Sequence, residues 1–185
     1  TTCIEIETPD ALIIIDLGTG SWRLGAELQK RWSDPSFQGE RSALVLLTHG
    51  HVDHTMALPF MKVFYDPENN ALIRGSQSAL DCLQKIFSHE NPDQGVLFPQ
   101  TLEMFTGLTF GEPITAGDTL AVGNTRVLTY ALNHPGGSLA YRIEHGEKSV
   151  VIATDHEQQD VPDKELAKFA SGTNLLYSDA QYLAD

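Results

Sequence analysis

The 185 residues of this chain suffice for one domain with a substantial core and are too few for two comfortable ones. Its net charge of −13 opposes loose electrostatic association with nucleic acid or anionic membrane, and no apolar stretch approaches the ~20 residues that cross a bilayer. Cys3 and Cys82 do not make a disulfide framework and suit a reducing cytoplasm, while dispersed glycine and proline with 41% hydrophobic residues exclude a low-complexity or disordered protein.

Residues 2–6 (TCIEI) open as a strand in progress, which suggests a chain beginning inside a longer domain. Residues 11–17 (ALIIIDL) form a β-branched apolar run that stops at the turn DLGTG, the pattern of a buried strand. A helix is predicted over 21–32 and a second buried strand over 43–48 (ALVLLT), which delivers the chain into the cluster HGHVDH at 49–54. A helix is then predicted over 55–64, a short strand over 71–74, and a helix over 78–88 with Leu80, Leu83, Ile86 and Phe87 on one face. Periodicity is lost over 88–112. Strands follow at 118–122, 125–132, 138–144 and 148–154, with turns at Gly123-Asn124 and His145-Gly146 and the loop NHPGG between the second and third. A short helix over 163–170 and a strand over 174–178 close the chain. This order predicts an α+β protein whose sheets are covered by helices.

Three predicted strands end in good metal ligands: His49, His51, Asp53 and His54 after the 43–48 strand, His134 after 125–132, and Asp155 after 148–154. Buried strands hold the loops that follow them in place, so functional groups gather there. Any one histidine beside an apolar strand is ordinarily hydrogen-bonded packing. With seven histidines in 185 residues, however, HxHxDH arises by chance on the order of once in a thousand such chains. Neutral imidazoles and carboxylates suit zinc and similar divalent ions. His49 and His51 could face one ion and Asp53 and His54 a second, roughly 3.5–4 Å away.

The segments LLTHGHVDHTMALP, DLGTG, NHPGGSLAYRI, ATDHE and YSDAQY resemble, in order and rough spacing, those of the metallo-β-lactamase superfamily, and are most similar to its ribonuclease Z and phosphodiesterase-like branch. The resemblance covers nearly the whole chain and implies a single hydrolase domain over 1–185, a four-layered αββα sandwich. It implies that His49, His51 and His134 bind a first metal, Asp53 and His54 a second, and that Asp155 bridges both. Asp16 matches an aspartate that steadies the ligand loop, or else caps its turn. Asp179, in SDAQ at 178–181, is a candidate for proton transfer or ligand orientation, with a strand-end cap as the alternative. The family carries a further ligand histidine beyond position 185 and strands before position 1, so truncation at both ends is expected. His156 is the candidate replacement, although neighbouring residues at a strand end point apart.

Two divalent ions, zinc first with manganese or iron as alternatives, would lower the pKa of bound water to about 7. The expected nucleophile is a metal-bridging hydroxide, with Asp53 accepting its proton or holding it in line. The expected reaction is hydrolysis of a small phosphodiester, and the amides of Gly136-Gly137 could approach an oxyanion unless they serve only a turn. The alternatives are a hydrolase of a carboxylic ester, thioester or lactam on the same metals, and a metal-binding regulatory domain without turnover. The cations supply the positive charge that the acidic chain lacks, which points to a small anionic substrate. Residues 88–112 contain no lysine or arginine, against nucleic-acid docking, and read as a lid or as a packed loop holding Phe98, Met104, Phe105 and Phe110. His89 and His145 read as solvent-exposed. No membrane contact is expected, and an oligomer is compatible with the sequence.

Overall fold

The computed structural model describes residues 2–88, 98–157 and 161–179. The chain divides into two compact units, Thr1–Glu7 with Ala11–Pro113, and Thr8–Asp10 with Ile114–Asp185. Each unit holds one five-stranded sheet, and the class is α+β as expected.

In the first unit the sheet order is β1 (Ile4–Glu7), β2 (Leu12–Ile15), β3 (Ser42–Leu46), β4 (Asn70–Arg74), β5 (Leu108–Phe110). β1 pairs antiparallel with β2, and β2 through β5 run parallel, with Ile14 opposite Val45 and Leu44 opposite Leu72. Parallel neighbours need crossovers, and helices α1 (Ser21–Trp32) and α3 (Gln77–Phe87) provide two of them. Leu24, Leu28 and Trp32 recur every four residues along α1, so one stripe of that helix packs into a core with Ile14, Val45 and Ile73. Leu80, Leu83 and Phe87 of α3 enter the same core, and the Ser76 hydroxyl caps that helix by accepting from the Ala79 amide.

The helix expected over 55–64 does not form. A single α-turn, α2 (Val52–Thr55), is followed by 3₁₀ turns at Leu58–Phe60 and Lys62–Tyr65. Pro59 has no amide hydrogen for the Thr55 carbonyl and disfavours α geometry at Leu58, so the chain advances by bonds such as Phe60 N–H to Ala57 O. Leu58, Met61 and Phe64, three apart, still face the core, as suits three residues per turn.

Residues 89–97, and with them His89, lie outside the described residues. The rest of the stretch expected to be irregular contains β5, too short for any periodicity and held by its pairing with β4. Phe98, Phe105 and Phe110 pack against the unit's own core, in keeping with the packed loop, while Met104 is exposed.

The second unit's sheet runs β10 (Leu175–Ser178), β9 (Lys148–Ala153), β8 (Ser138–His145), β7 (Thr125–Leu132), β6 (Thr119–Val122). β6 to β9 form an antiparallel meander, and β10 lies parallel to β9 after α4 (Lys164–Phe169). The β8–β9 turn falls at Gly146-Glu147, one residue later than expected, and Gly146 takes the positive φ (58°) it requires. His145 therefore remains in β8. It pairs with Thr125, takes part in a 3.0 Å hydrogen bond with the Thr125 hydroxyl, and is half-buried, which corrects the expectation of a solvent-exposed turn residue.

Leu166 and Phe169 of α4 cover Leu132, Ala140, Val151 and Ala153. Asp163 caps α4, its Oδ1 accepting from the Glu165 and Leu166 amides at 3.0 and 2.9 Å. Among the described residues no helix is long and apolar enough to cross a membrane.

The Leu166 amide, followed by the Tyr130 hydroxyl and the Glu165 amide, holds the Asp163 carboxyl below its ordinary range despite partial burial. A depressed acid stabilises the fold above its unfolded pKa, and that contribution is lost as pH falls through the folded value. Asp163→Ala is expected to lower stability by about 1–2 kcal/mol at neutral pH in urea unfolding. The gap to the unaltered protein should narrow below about pH 4. An equal gap at pH 3 and pH 7 would show that the cap does not act through its charge.

Candidate metal centre

Strand direction places the first group of ligands. Because β2 and β3 are parallel, their C-terminal ends share one edge of the sheet, and Asp16 leaves β2 beside Thr48 and His49. Asp16 is fully buried and takes a left-handed φ of 61°, a conformation that costs an aspartate roughly 1–3 kcal/mol unless its surroundings hold it there. They do so with four hydrogen bonds. The Asp16 amide donates to Leu46 O at 3.0 Å, and its carboxylate accepts from the Thr48 amide and hydroxyl, each at 2.8 Å, and from His54 Nδ1 at 2.7 Å. Burial pushes the Asp16 carboxyl up, while the bonds from His54 and Thr48 pull it down.

These bonds set the histidine tautomers. With its proton committed to Asp16, the Thr48 hydroxyl can accept from His49 Nδ1 at 3.0 Å. His54 Nδ1–H is held by Asp16 directly. Both rings then carry the lone pair on Nε2, the form in which a neutral imidazole ligates a metal. His49 Nε2 lies 2.9 Å from His51 Nδ1, and His54 Nε2 lies 3.5 Å from Asp53 Oδ2. His49 and His54 are buried, Asp53 is half-buried and His51 is exposed. Two nitrogens about 2.0–2.1 Å from a shared zinc stand about 3.3 Å apart at a tetrahedral angle, so the donor set fits a divalent ion.

Thr48 is the site residue that sequence reasoning missed. Its only signal was its place just before HxHxDH. Gly50 is a second: a Cβ there would stand 2.9 Å from the Cys82 Cβ, and the Cys82 thiol donates to the Gly50 carbonyl, so a bare backbone lets the loop lie on α3.

In the second unit, β7 and β9 point the same way across the antiparallel sheet, so His134 and Asp155 follow strand ends on one edge. The two loops are joined by Glu157 N–H to Asn133 O (2.7 Å) and Asn133 Nδ2–H to Glu157 O (2.8 Å). Asp155, like Asp16, has a left-handed backbone, with φ of 55°. His134 is half-buried, with Nδ1 4.0 Å from Glu157 Oε1. His156, the candidate replacement ligand, accepts at Nδ1 from the Asn133 amide at 3.3 Å, and its Nε2 lies 3.9 Å from Asp163 Oδ2. The Gly137 amide closes a turn onto His134 O at 2.8 Å, which corrects the expectation that the Gly136-Gly137 amides act together on an oxyanion. β10 runs parallel to β9 with Ser178 opposite Ala153, so Asp179 follows β10 at the sheet edge where Asp155 follows β9.

Residues 12–185 match the family model described as a beta-lactamase superfamily domain, and the chain belongs to the metallo-β-lactamase superfamily. The fold is shared with several solved structures. The metallo-β-lactamase fold protein YhfI from Bacillus subtilis aligns at 21% identity and a TM-score of 0.67, over 100% of this chain and 65% of that one. A diphosphatase of the PhnP family aligns at 12% and 0.65, over 94% and 58%. Zinc-bound PqqB from Methylobacterium extorquens aligns at 14% and 0.64, over 96% and 56%. The chain thus spans less than two thirds of the length of each. A comparison with curated protein sequences gives no significant match.

Asp16→Asn tests the anchoring. Its amide oxygen can still accept from Thr48, but its NH₂ donates to His54 Nδ1 and moves the ring proton to Nε2. The variant should fold, and its zinc affinity in a chelator competition should fall about 10–100-fold. Asp16→Ala strips buried donors of their acceptor and should cost about 3–5 kcal/mol in denaturant unfolding. Unchanged zinc affinity in the asparagine variant would refute the tautomer assignment.

Proposed function

We propose that the chain is a dinuclear metal-dependent hydrolase of the ribonuclease Z and phosphodiesterase-like branch, cleaving a small phosphodiester, with residues 1–185 acting as one catalytic domain. The observation that carries this reading is the pair of buried Nδ1 anchors on Thr48 and Asp16, which set the lone pairs of His49 and His54 on Nε2, the arrangement that a metal ligand needs. A histidine kept for packing does not need its tautomer set by a buried carboxylate. His49, His51 and His134 would hold the first ion, Asp53 and His54 the second, and Asp155 both. The ions, zinc first with manganese or iron as alternatives, would supply Lewis acidity and activate water near neutral pH. The diphosphatase and the zinc-bound protein among the similar structures support phosphorus chemistry and this metal.

Asp53, half-exposed beside His54, would accept a proton from the attacking water or hold it in line. Asp179 would deliver a proton to the leaving oxygen or orient a ligand from beside Asp155. The substrate would be a small anion, since the chain's charge of −13 repels polyanions unless cations offset it locally. Both cysteines are free thiols, in keeping with a cytoplasmic setting.

Tag-free protein should contain about two equivalents of metal per chain by elemental analysis and should hydrolyse bis(p-nitrophenyl) phosphate. His49→Ala and Asp53→Ala should each lower that turnover by about 100-fold or more. Unchanged turnover in both variants would discard the proposal. Stoichiometric metal without hydrolysis of any ester class would favour a regulatory metal-binding domain.

A further inference from the structure

The second unit contains a cavity of about 420 Å³ that none of the candidate metal ligands lines, with Leu132, Asn133, His156, Val161, Pro162 and Asp163 among its walls. That volume is within the range of small-molecule sites. Two of its polar groups have fixed roles. His156 Nδ1 accepts from the Asn133 backbone amide at 3.3 Å, which places the ring proton of the neutral imidazole on Nε2 and makes that nitrogen a donor. Asp163 is immobilised from three sides. Its Oδ1 accepts from the Glu165 and Leu166 amides, and the Tyr130 hydroxyl lies 3.1 Å from both carboxylate oxygens.

The donor His156 Nε2 and the acceptor Asp163 Oδ2 stand 3.9 Å apart, too far to satisfy one another. Both stay within reach of a ligand, since the side chains are 13% and 28% exposed. A lactam edge has its carbonyl oxygen and its amide nitrogen about 2.3 Å apart, by standard amide bond lengths. Two parallel hydrogen bonds to such an edge span a slightly splayed donor and acceptor of this kind. Val161 and Pro162 supply apolar wall for the flat ring behind it.

We infer that this cavity is a binding subsite for the lactam edge of a heterocycle, with His156 Nε2–H donating to its carbonyl and Asp163 accepting from its ring N–H. Its catalytic meaning rests on the proposed hydrolase: Asn133 and His156 are chain neighbours of His134 and Asp155, so the subsite would hold the organic group flanking the ester. Binding itself is measured without turnover.

Uridine carries the required edge, and 3-methyluridine lacks its N–H. Calorimetric titration of the full chain, with and without added zinc, should show saturable binding of uridine. Binding of 3-methyluridine should be weaker by about tenfold or more, because a site built around a donor rejects the analogue without it. His156→Phe should weaken uridine binding to a similar degree. Equal binding of the two nucleosides, or no saturable uridine binding, overturns the inference. Saturable, N–H-dependent binding to protein that hydrolyses no ester supports the subsite and overturns only its link to a reaction.

Discussion

A carboxylate sealed from water beneath two imidazoles is the interaction on which the candidate site depends. Asp16 is buried at a strand end in a backbone conformation that aspartate adopts at a cost, and it is tolerated there because every strong donor near it is turned toward it. The return is positional. Thr48 and His54 cannot rotate without leaving a buried charge short of a partner, and His49 is held in turn through the Thr48 hydroxyl. The loop that carries the candidate ligands is therefore ordered by the protein's own hydrogen bonds.

Chain direction explains why these groups meet at all. In the first unit, parallel β2 and β3 bring Asp16 and the HGHVDH loop to one sheet edge, although they lie 38 residues apart at the Asp16–His54 contact. In the second unit a meander gives the same outcome by another route, since alternate strands of an antiparallel sheet share direction. β7 and β9 both end beside the loops that Asn133 and Glu157 tie together. Pro59 then ends the helical turn after HGHVDH early, and the 3₁₀ segments that follow fold its apolar residues under α1.

The second unit also assigns different work to adjacent residues. Asp155 carries the left-handed backbone, whereas His156, its neighbour, is bound to Asn133 and faces Asp163. A pair of loops that carries candidate ligands thereby also lines the neighbouring cavity.

Most of the elements were legible in the sequence. Short apolar or alternating runs that stop at polar or glycine-containing turns mark β2, β3, β7 and β9, and a four-residue apolar repeat marks α1, because these patterns follow from local geometry alone. β5 was not legible, since three residues have no period and only β4 makes them a strand; nor was the loss of the helix over 55–64, where Leu58, Met61 and Phe64 suit either helical period. By itself the sequence determined the inventory of donor side chains and the strand ends that carry them, which depend on residue type and local pattern. Only the tertiary structure decided which nitrogen of His49 and of His54 bears the proton, and that His156 turns to Asn133, because a tautomer is set by a hydrogen-bond partner that spacing along the chain does not reveal.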